Sequence, residues 1–162
     1  MKGVLAELEE YFDYIIIDCP AGIENGFYRA VSCSKEAIVV TTPHLSAIRD
    51  ADKVVNILQT SGVEVIGVVV NRLRGDLILS NEMLGVEKIS TYLKLSVVGA
   101  VPDDYAMSCQ SLMGDIKYDS GINMTFDYMV NKIHCGGNKV FDCTKKYRGV
   151  IGNIRRGLRK WV

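Results

Sequence analysis

No apolar run in this sequence approaches the roughly 20 residues that a membrane-spanning helix requires, and no Cys-x-x-Cys pair occurs among its five cysteines. A spanning segment is thereby excluded. The opening Met1-Lys2-Gly3-Val4 is followed by Glu7, Glu9 and Glu10, which is unlike a signal peptide, so the chain is expected in the cytosol. Cys19, Cys33, Cys109, Cys135 and Cys143 then read as reduced thiols. His134-Cys135 with Cys143 falls short of a four-ligand zinc set. The phosphate-cradling pattern G-x-x-x-x-G-K-[ST] is also missing, and Gly136-Gly137-Asn138-Lys139 neither has its spacing nor joins a buried strand to a helix. With 19 basic and 19 acidic residues the formal charge is zero, so no global field for nucleic acid is expected.

The 162 residues, 48% of them hydrophobic, are enough for one domain with a sizeable core. Tyr14-Ile15-Ile16-Ile17-Asp18 has β-branched residues without polar alternation, the pattern of a strand covered on both faces in a parallel sheet. It ends on a carboxylate. Pro20 and Gly22 turn the chain just beyond, which places Asp18 where open α/β sheets bind ligands. Two readings of Asp18 stand side by side: a carboxylate holding Mg²⁺ through water beside a nucleotide's phosphates, or an acceptor for the amides of the next turn.

Leu5, Leu8 and Phe12 form a helical stripe over residues 4–12, and residues 24–34 form another with Phe27, Ala30 and Val31 inward. Residues 37–41 read as a strand ended by Thr42-Pro43. Ile48, Ala51, Val54, Val55 and Leu58 make a helix from Ser46 that stops at Ser61-Gly62. A third strand spans 65–70 and ends in Asn71-Arg72. Residues 75–80 read as a mobile loop, 86–93 as a short helix, and 97–101 as a fourth strand closed by Pro102-Asp103-Asp104. A weak helix over 105–114 and a stronger one over 123–133 follow, the latter with Met124, Tyr128, Met129 and Ile133 facing the core. Strands separated by helices predict an α/β fold, a mostly parallel sheet with flanking helices and a C-terminal amphipathic helix. The expected divisions are a domain at 1–134, a linker at 135–147 and the terminal helix at 148–162.

If the strands are parallel, Asp18, Asn71-Arg72 and Pro102-Asp103-Asp104 share one edge. Asn71 offers an amide suited to a purine edge and Arg72 a planar cation for base or phosphate, although Asn-Arg after a strand is also ordinary turn chemistry.

Asp18-Cys19-Pro20-Ala21-Gly22-Ile23-Glu24 resembles the Walker B segment of the MinD branch of the MinD/ParA family of deviant Walker ATPases. The likeness continues through residues 36–43, 46–52 and 97–104, in register over roughly 10–133. It implies that Asp18 serves Mg²⁺ through water, that Asn71 and Arg72 with Pro102, Asp103 and Asp104 form the adenine pocket of bound ATP, and that Arg49, Asp50 and Asp52 lie near a nucleotide-dependent homodimer face where MinC- and MinE-like division regulators dock. A solvated helix face with a local ion pair is the other reading of those three residues. The resemblance also implies a membrane-associated ATPase that places the division septum, peripheral on the inner face of the cell membrane. Its phosphate loop lies N-terminal to the Walker B strand, so this sequence reads as a C-terminal portion in which no catalytic residue is assigned. That missing strand would leave an open sheet edge. A non-catalytic membrane- or partner-binding module of the same fold, or a ParA-type partitioning ATPase, are the alternatives.

The C-terminal stretch needs no family knowledge. Val150, Ile151, Ile154, Leu158, Trp161 and Val162 fall on one helical face, with Arg148, Arg155, Arg156, Arg159 and Lys160 mainly opposite. Basic opposite apolar with a terminal Trp describes a helix lying on an anionic membrane surface. Gly149, Gly152 and Gly157 each cost helix about 1 kcal/mol relative to Ala, so the stretch is expected to be unfolded in water. Packing on its own domain, or binding nucleic acid, are the competing readings.

Overall fold

The computed structural model describes residues 2–20, 22–104 and 120–159. Three parallel strands, β1 (Glu36–Thr41), β2 (Glu64–Leu73) and β3 (Val97–Pro102), form a sheet in the order β1-β2-β3. Helix α3 (Leu45–Thr60) connects β1 to β2, and α4 (Gly75–Leu79) and α5 (Val86–Leu93) connect β2 to β3. Ahead of the sheet lie α1 (Lys2–Leu8) and α2 (Asn25–Val31). After it come α6 (Ser120–Cys135), a 3₁₀ turn at Lys145–Tyr147 and α7 (Gly149–Arg159).

The Val-rich strands are covered on two faces, as their lack of polar alternation requires. On one face Val39, Val68, Val70 and Ala100 pack with Phe27 of α2, Ile48, Val55 and Leu58 of α3, and Ile89 and Leu93 of α5. On the other, Val69, Val98 and Val101 meet Met129 and Ile133 of α6. Each fully buried aliphatic side chain contributes about 1.5–3 kcal/mol. The second face is covered over β2 and β3, while Ile38 and Val40 of β1 stay exposed there.

Five expectations change. Tyr14 to Asp18 belongs to no strand or helix, and Ile16 is 91% exposed. A β-branched run becomes a strand only where a neighbour lends its backbone, and among the described residues none does. Residues 75–79 are a helical turn rather than a mobile loop, with Gly75 and Asp76 buried. Their local sequence is weak, and packing decides. On α6, Met124 is exposed while Ile122 and Thr125 are buried, so the inward stripe runs through 122, 125, 129 and 133.

The stretch expected as a linker begins inside α6, whose end Gly136 and Gly137 close by donating to the Lys132 and Asn131 carbonyls. From Val140 the chain lies against the domain as a strap. Val140 and Phe141 pack on the core, and Cys143, Thr144 and Tyr147 are buried. The strap crosses Gly75 so closely that a Cβ there would sit 2.0 Å from the Cys143 carbonyl oxygen. Beyond it, α7 is helical rather than unfolded. The expected 105–114 helix lies outside the described residues.

Candidate functional site

Parallel strands bring their carboxyl ends to one edge, and there the structure joins two of the expected segments. The Arg72 Nε lies 3.9 Å from Asp103 Oδ1, and the Asp103 N–H donates to the Leu73 carbonyl at 2.9 Å. Pro102 is buried and sits beside Leu73 in the β2–β3 ladder. Asp104 follows, half-buried.

Between Val70 and Leu73 the β2–β3 register shifts, because three steps along β2 match two along β3, from Ala100 to Pro102. This bulge is local to Asn71-Arg72. It re-aims side chains at a strand end, as bulges beside binding sites do. Arg72 takes φ 60°, a left-handed conformation that a non-glycine residue adopts at a cost. The Arg72 N–H donates to Asn71 Oδ1 at 2.8 Å, which stabilises the turn and engages the amide's acceptor. Asn71 is thus left to offer its Nδ2 donors.

Below the bulge lies a pair that the sequence reading missed. Arg74 grips Asp76 with a two-pronged contact, Nη2 to Oδ2 at 2.7 Å and Nε to Oδ1 at 3.4 Å. The hydrogen bond to Asp76 raises the Arg74 pKa, burial works against it, and the Asp76 charge adds to the rise. The one signal was charge at 74 and 76 around a glycine. The pair sets the base of the Asn71–Arg72 loop, two residues along the chain.

Asp18 is exposed, and among the described residues no hydrogen bond or ion pair joins it to the Arg72–Asp103 pair. Among the described residues no group of three or more His, Cys, Asp or Glu could hold a metal ion. A single carboxylate suits Mg²⁺ that keeps its waters and is held chiefly by phosphate oxygens. Such a role for Asp18 fits its chemistry, whereas a dedicated protein cage does not.

On α3, Arg49 is exposed and lines a groove of about 250 Å³ with Leu45, Leu84, Lys88 and Tyr92. Asp50 pairs with Lys53 at 3.0 Å, both exposed. Asp52 is half-buried, and its carbonyl accepts from Asn56.

Helix α7 presents its apolar residues to solvent, with Val150 79%, Ile151 71%, Ile154 59% and Leu158 67% exposed. Arg155 is exposed and Arg156 half-buried, the latter donating to Asn153. Gly152 alone presses inward, where a Cβ would strike the Tyr147 backbone. Arg159 ends the helix, and Lys160, Trp161 and Val162 lie outside the described residues. No helix among those described is long and apolar enough to cross a membrane.

The family model described as "ParA: NUBPL iron-transfer P-loop NTPase" matches residues 7–133. The chain is 44% identical over 115 residues to the septum site-determining protein MinD of Synechocystis, covering 71% of this chain and 43% of that protein. It is 40% identical over 160 residues to the putative septum site-determining protein MinD of Guillardia theta, covering 96% and 60%. Its fold is similar to that of MinD in the MinC:MinD cell division protein complex of Aquifex aeolicus, with TM-score 0.77, 29% identity and coverage of 85% and 58%. It is also similar to MinD of Pyrococcus horikoshii complexed with Mg-ADP, with TM-score 0.71, 26% identity and coverage of 82% and 55%. The chain spans about half the length of the curated relatives it matches.

Proposed function

The chain belongs to the ParA family of P-loop NTPases, and from that premise we propose that it carries the base-binding and membrane-binding parts of a MinD-like septum-site ATPase. The observation that carries this reading is the helix α7, whose apolar face is unpartnered beside arginines on a domain of that family.

In this proposal Arg72, held by its bulge near Asp103, stacks on or flanks an adenine whose edge meets Asn71 Nδ2, with Pro102 and Asp104 closing the turn. Asp18 orients the water shell of Mg²⁺. The metal, when bound, neutralises phosphate charge. The relative bound to Mg-ADP supports nucleotide as the ligand. Since G-x-x-x-x-G-K-[ST] does not occur in residues 1–162, the grip on β- and γ-phosphate, and with it hydrolysis, comes from polypeptide supplying that loop. The MinC:MinD complex supports a MinC-like regulator as partner, with Arg49, Asp50 and Asp52 as its contact residues.

Membrane binding follows from α7. Burying Val150, Ile151, Ile154 and Leu158 gains about 1.5–3 kcal/mol each at most, and each cation adds about 1 kcal/mol at an anionic leaflet. Ordering and immobilisation offset much of this, so one copy binds reversibly and two tails on a dimer bind more tightly.

Co-sedimentation with anionic liposomes, with and without ATP-Mg²⁺, tests the reading. Wild-type chain is expected to pellet irrespective of nucleotide, with blue-shifted emission from Trp161, the sole tryptophan. Leu158→Glu removes one buried aliphatic group and adds a charge, so its partitioning is expected to fall by about tenfold or more. Equal pelleting of wild type and Leu158→Glu would sink the membrane assignment. A second reading is a non-catalytic membrane-binding module of the same fold, and binding of ATP by a longer polypeptide carrying the phosphate loop separates the two.

A further inference from the structure

The strand-end turn is tied only thinly by its own bonds. Past Val70 and Ala100 the bulge breaks the β2–β3 ladder, which resumes for the pair Leu73 and Pro102. The Asp103 N–H, donating to the Leu73 carbonyl at 2.9 Å, closes the turn. The Arg72–Asp103 ion pair is long at 3.9 Å and open to solvent on both sides, so it adds little. A ladder end of this kind frays unless something outside it serves as a brace.

The strap reaches both sides of this weak point. Cys143 Sγ donates to the Ala100 carbonyl of β3 at 3.7 Å, two residues before Pro102. The Cys143 carbonyl and the Tyr147 ring lie against Gly75, the first residue of α4 and three beyond Arg72. Both strap residues are 5% exposed. Arg74 is near strap and site alike: its pKa is raised first by the hydrogen bond to Asp76, against burial, and then further by Asp76, Tyr147 and Asp103. On its exposed side the strap is latched by Asp142, which accepts from the Thr144 N–H and hydroxyl and lies 3.5 Å from Arg148.

We propose that the strap is a clamp on the strand-end site: with Cys143 and Tyr147 seated, Ala100 and Gly75 are held at one spacing, and the Asp103–Leu73 turn that sets Arg72 beside Asp103 opens only when the strap lifts. Cys143 and Tyr147 are thereby positioning residues, acting on the site through β3 and α4. The clamp works in both directions. A ligand that bridges the two strand ends, a nucleotide on the septum-site reading, holds the strap down by as much as the seated strap improves that ligand's affinity. The clamp itself is a property of the packing and does not rest on that reading.

Residue-resolved amide hydrogen exchange, with alkylation of Cys143 at pH 8, tests it on the purified chain without nucleotide or lipid. The Asp103 amide reports the turn, and the Val68 amide, bonded to the Ser96 carbonyl toward the other end of the ladder, reports the sheet. In wild type the Asp103 amide is expected to be at least as protected as the Cys143 thiol, since the turn opens only with the strap. Tyr147→Ala takes the ring from Gly75, and the Cys143 and Asp103 rates are expected to rise together by about a hundredfold while Val68 changes by less than about threefold. Asp142→Asn is the milder variant, for which one common factor of about threefold to tenfold is expected at Cys143 and Asp103. A wild-type Asp103 amide less protected than Cys143, or one that keeps its wild-type rate in a variant whose Cys143 is unmasked, would overturn the proposal. So would a Cys143 that neither variant unmasks, or a Val68 rate that climbs with the other two, because the strap would then belong to the global fold rather than to the site. None of these readouts involves membrane or ATP, so they stand apart from the tests of the septum-site reading.

Discussion

Replacing Gly75 by alanine should pry the strap from the domain. The new Cβ would lie 2.0 Å from the Cys143 carbonyl oxygen, 2.7 Å from its carbon and 2.9 Å from the Tyr147 ring, where ordinary contacts begin at 3.4 Å. Two of the three obstacles are backbone, which cannot swing aside. Overpacking costs about 1–3 kcal/mol for smaller intrusions, so the strain here belongs at the upper end, about 3 kcal/mol. Lifting the strap instead exposes the Tyr147 ring, at most about 4–6 kcal/mol for a buried aromatic of 150–250 Å². Strain that vanishes on opening lowers that opening free energy by its full amount. At 1.4 kcal/mol per decade, about 3 kcal/mol raises the open population roughly a hundredfold.

Cys143 reports this directly. Burial first, and the Asp142 charge second, push its pKa up to about 12 from the ordinary 9.0, so in the closed form almost no thiolate exists at pH 8. Alkylation at pH 8, read by mass spectrometry at the Cys143 peptide with exposed Cys19 and Cys135 as internal standards, should be about a hundredfold faster in Gly75→Ala than in wild type. A variant that folds with an unchanged melting temperature and a Cys143 as protected as before would refute the reasoning, because it would mean that the strap does not press on Gly75.

Two further outcomes are expected. Arg72→Gly removes a left-handed non-glycine residue, worth about 1 kcal/mol of strain, and should raise the melting temperature by about 2–4 °C while weakening adenine nucleotide binding in a polypeptide that carries the phosphate loop; a lower melting temperature would count against the strain argument. Burial tends to raise the Asp142 pKa, but hydrogen bonds from the Thr144 hydroxyl and N–H, with the Arg148 charge, hold it below the usual carboxylate range. A depressed folded pKa gives stability that is present above the ordinary carboxylate value and lost as pH falls through the folded one. Melting curves between neutral and strongly acidic pH should therefore fall less steeply for Asp142→Asn than for wild type, and parallel curves would remove Asp142 from the account.

Much of the fold was legible because periodicity and burial agree in its middle. Ile48, Ala51, Val55 and Leu58 recur at helical spacing and all are buried in α3, and the apolar runs of β1, β2 and β3 are strands as expected. The reading failed where a segment's state depends on a distant neighbour. Tyr14 to Ile17 has the composition of a strand, but composition supplies no hydrogen-bonding edge. Gly136-Gly137-Asn138 signals a break in the chain, yet Val140, Phe141, Cys143 and Tyr147 are drawn inward by a surface that no local pattern encodes. At the strand ends, parallel topology correctly brought Arg72 to Asp103. The bulge that turns Arg72, and the Arg74–Asp76 grip beneath it, depend on one extra residue in a ladder, which sequence spacing alone does not reveal.

The docked strap also decides how the protein would stand on a surface. A free linker over residues 135–147 would have a root-mean-square span of roughly 20 Å, letting the domain tumble like a float on a line. With Tyr147 seated in the domain and Gly152 pressed against its backbone, α7 leaves the globule as a bracket instead. The bilayer would then see the domain in one pose, with its strand ends at a fixed height and tilt. In any pair of copies the two brackets must lie in one plane for both to insert, so the angle between partners would determine whether the pair holds twice as firmly or no better than a single copy.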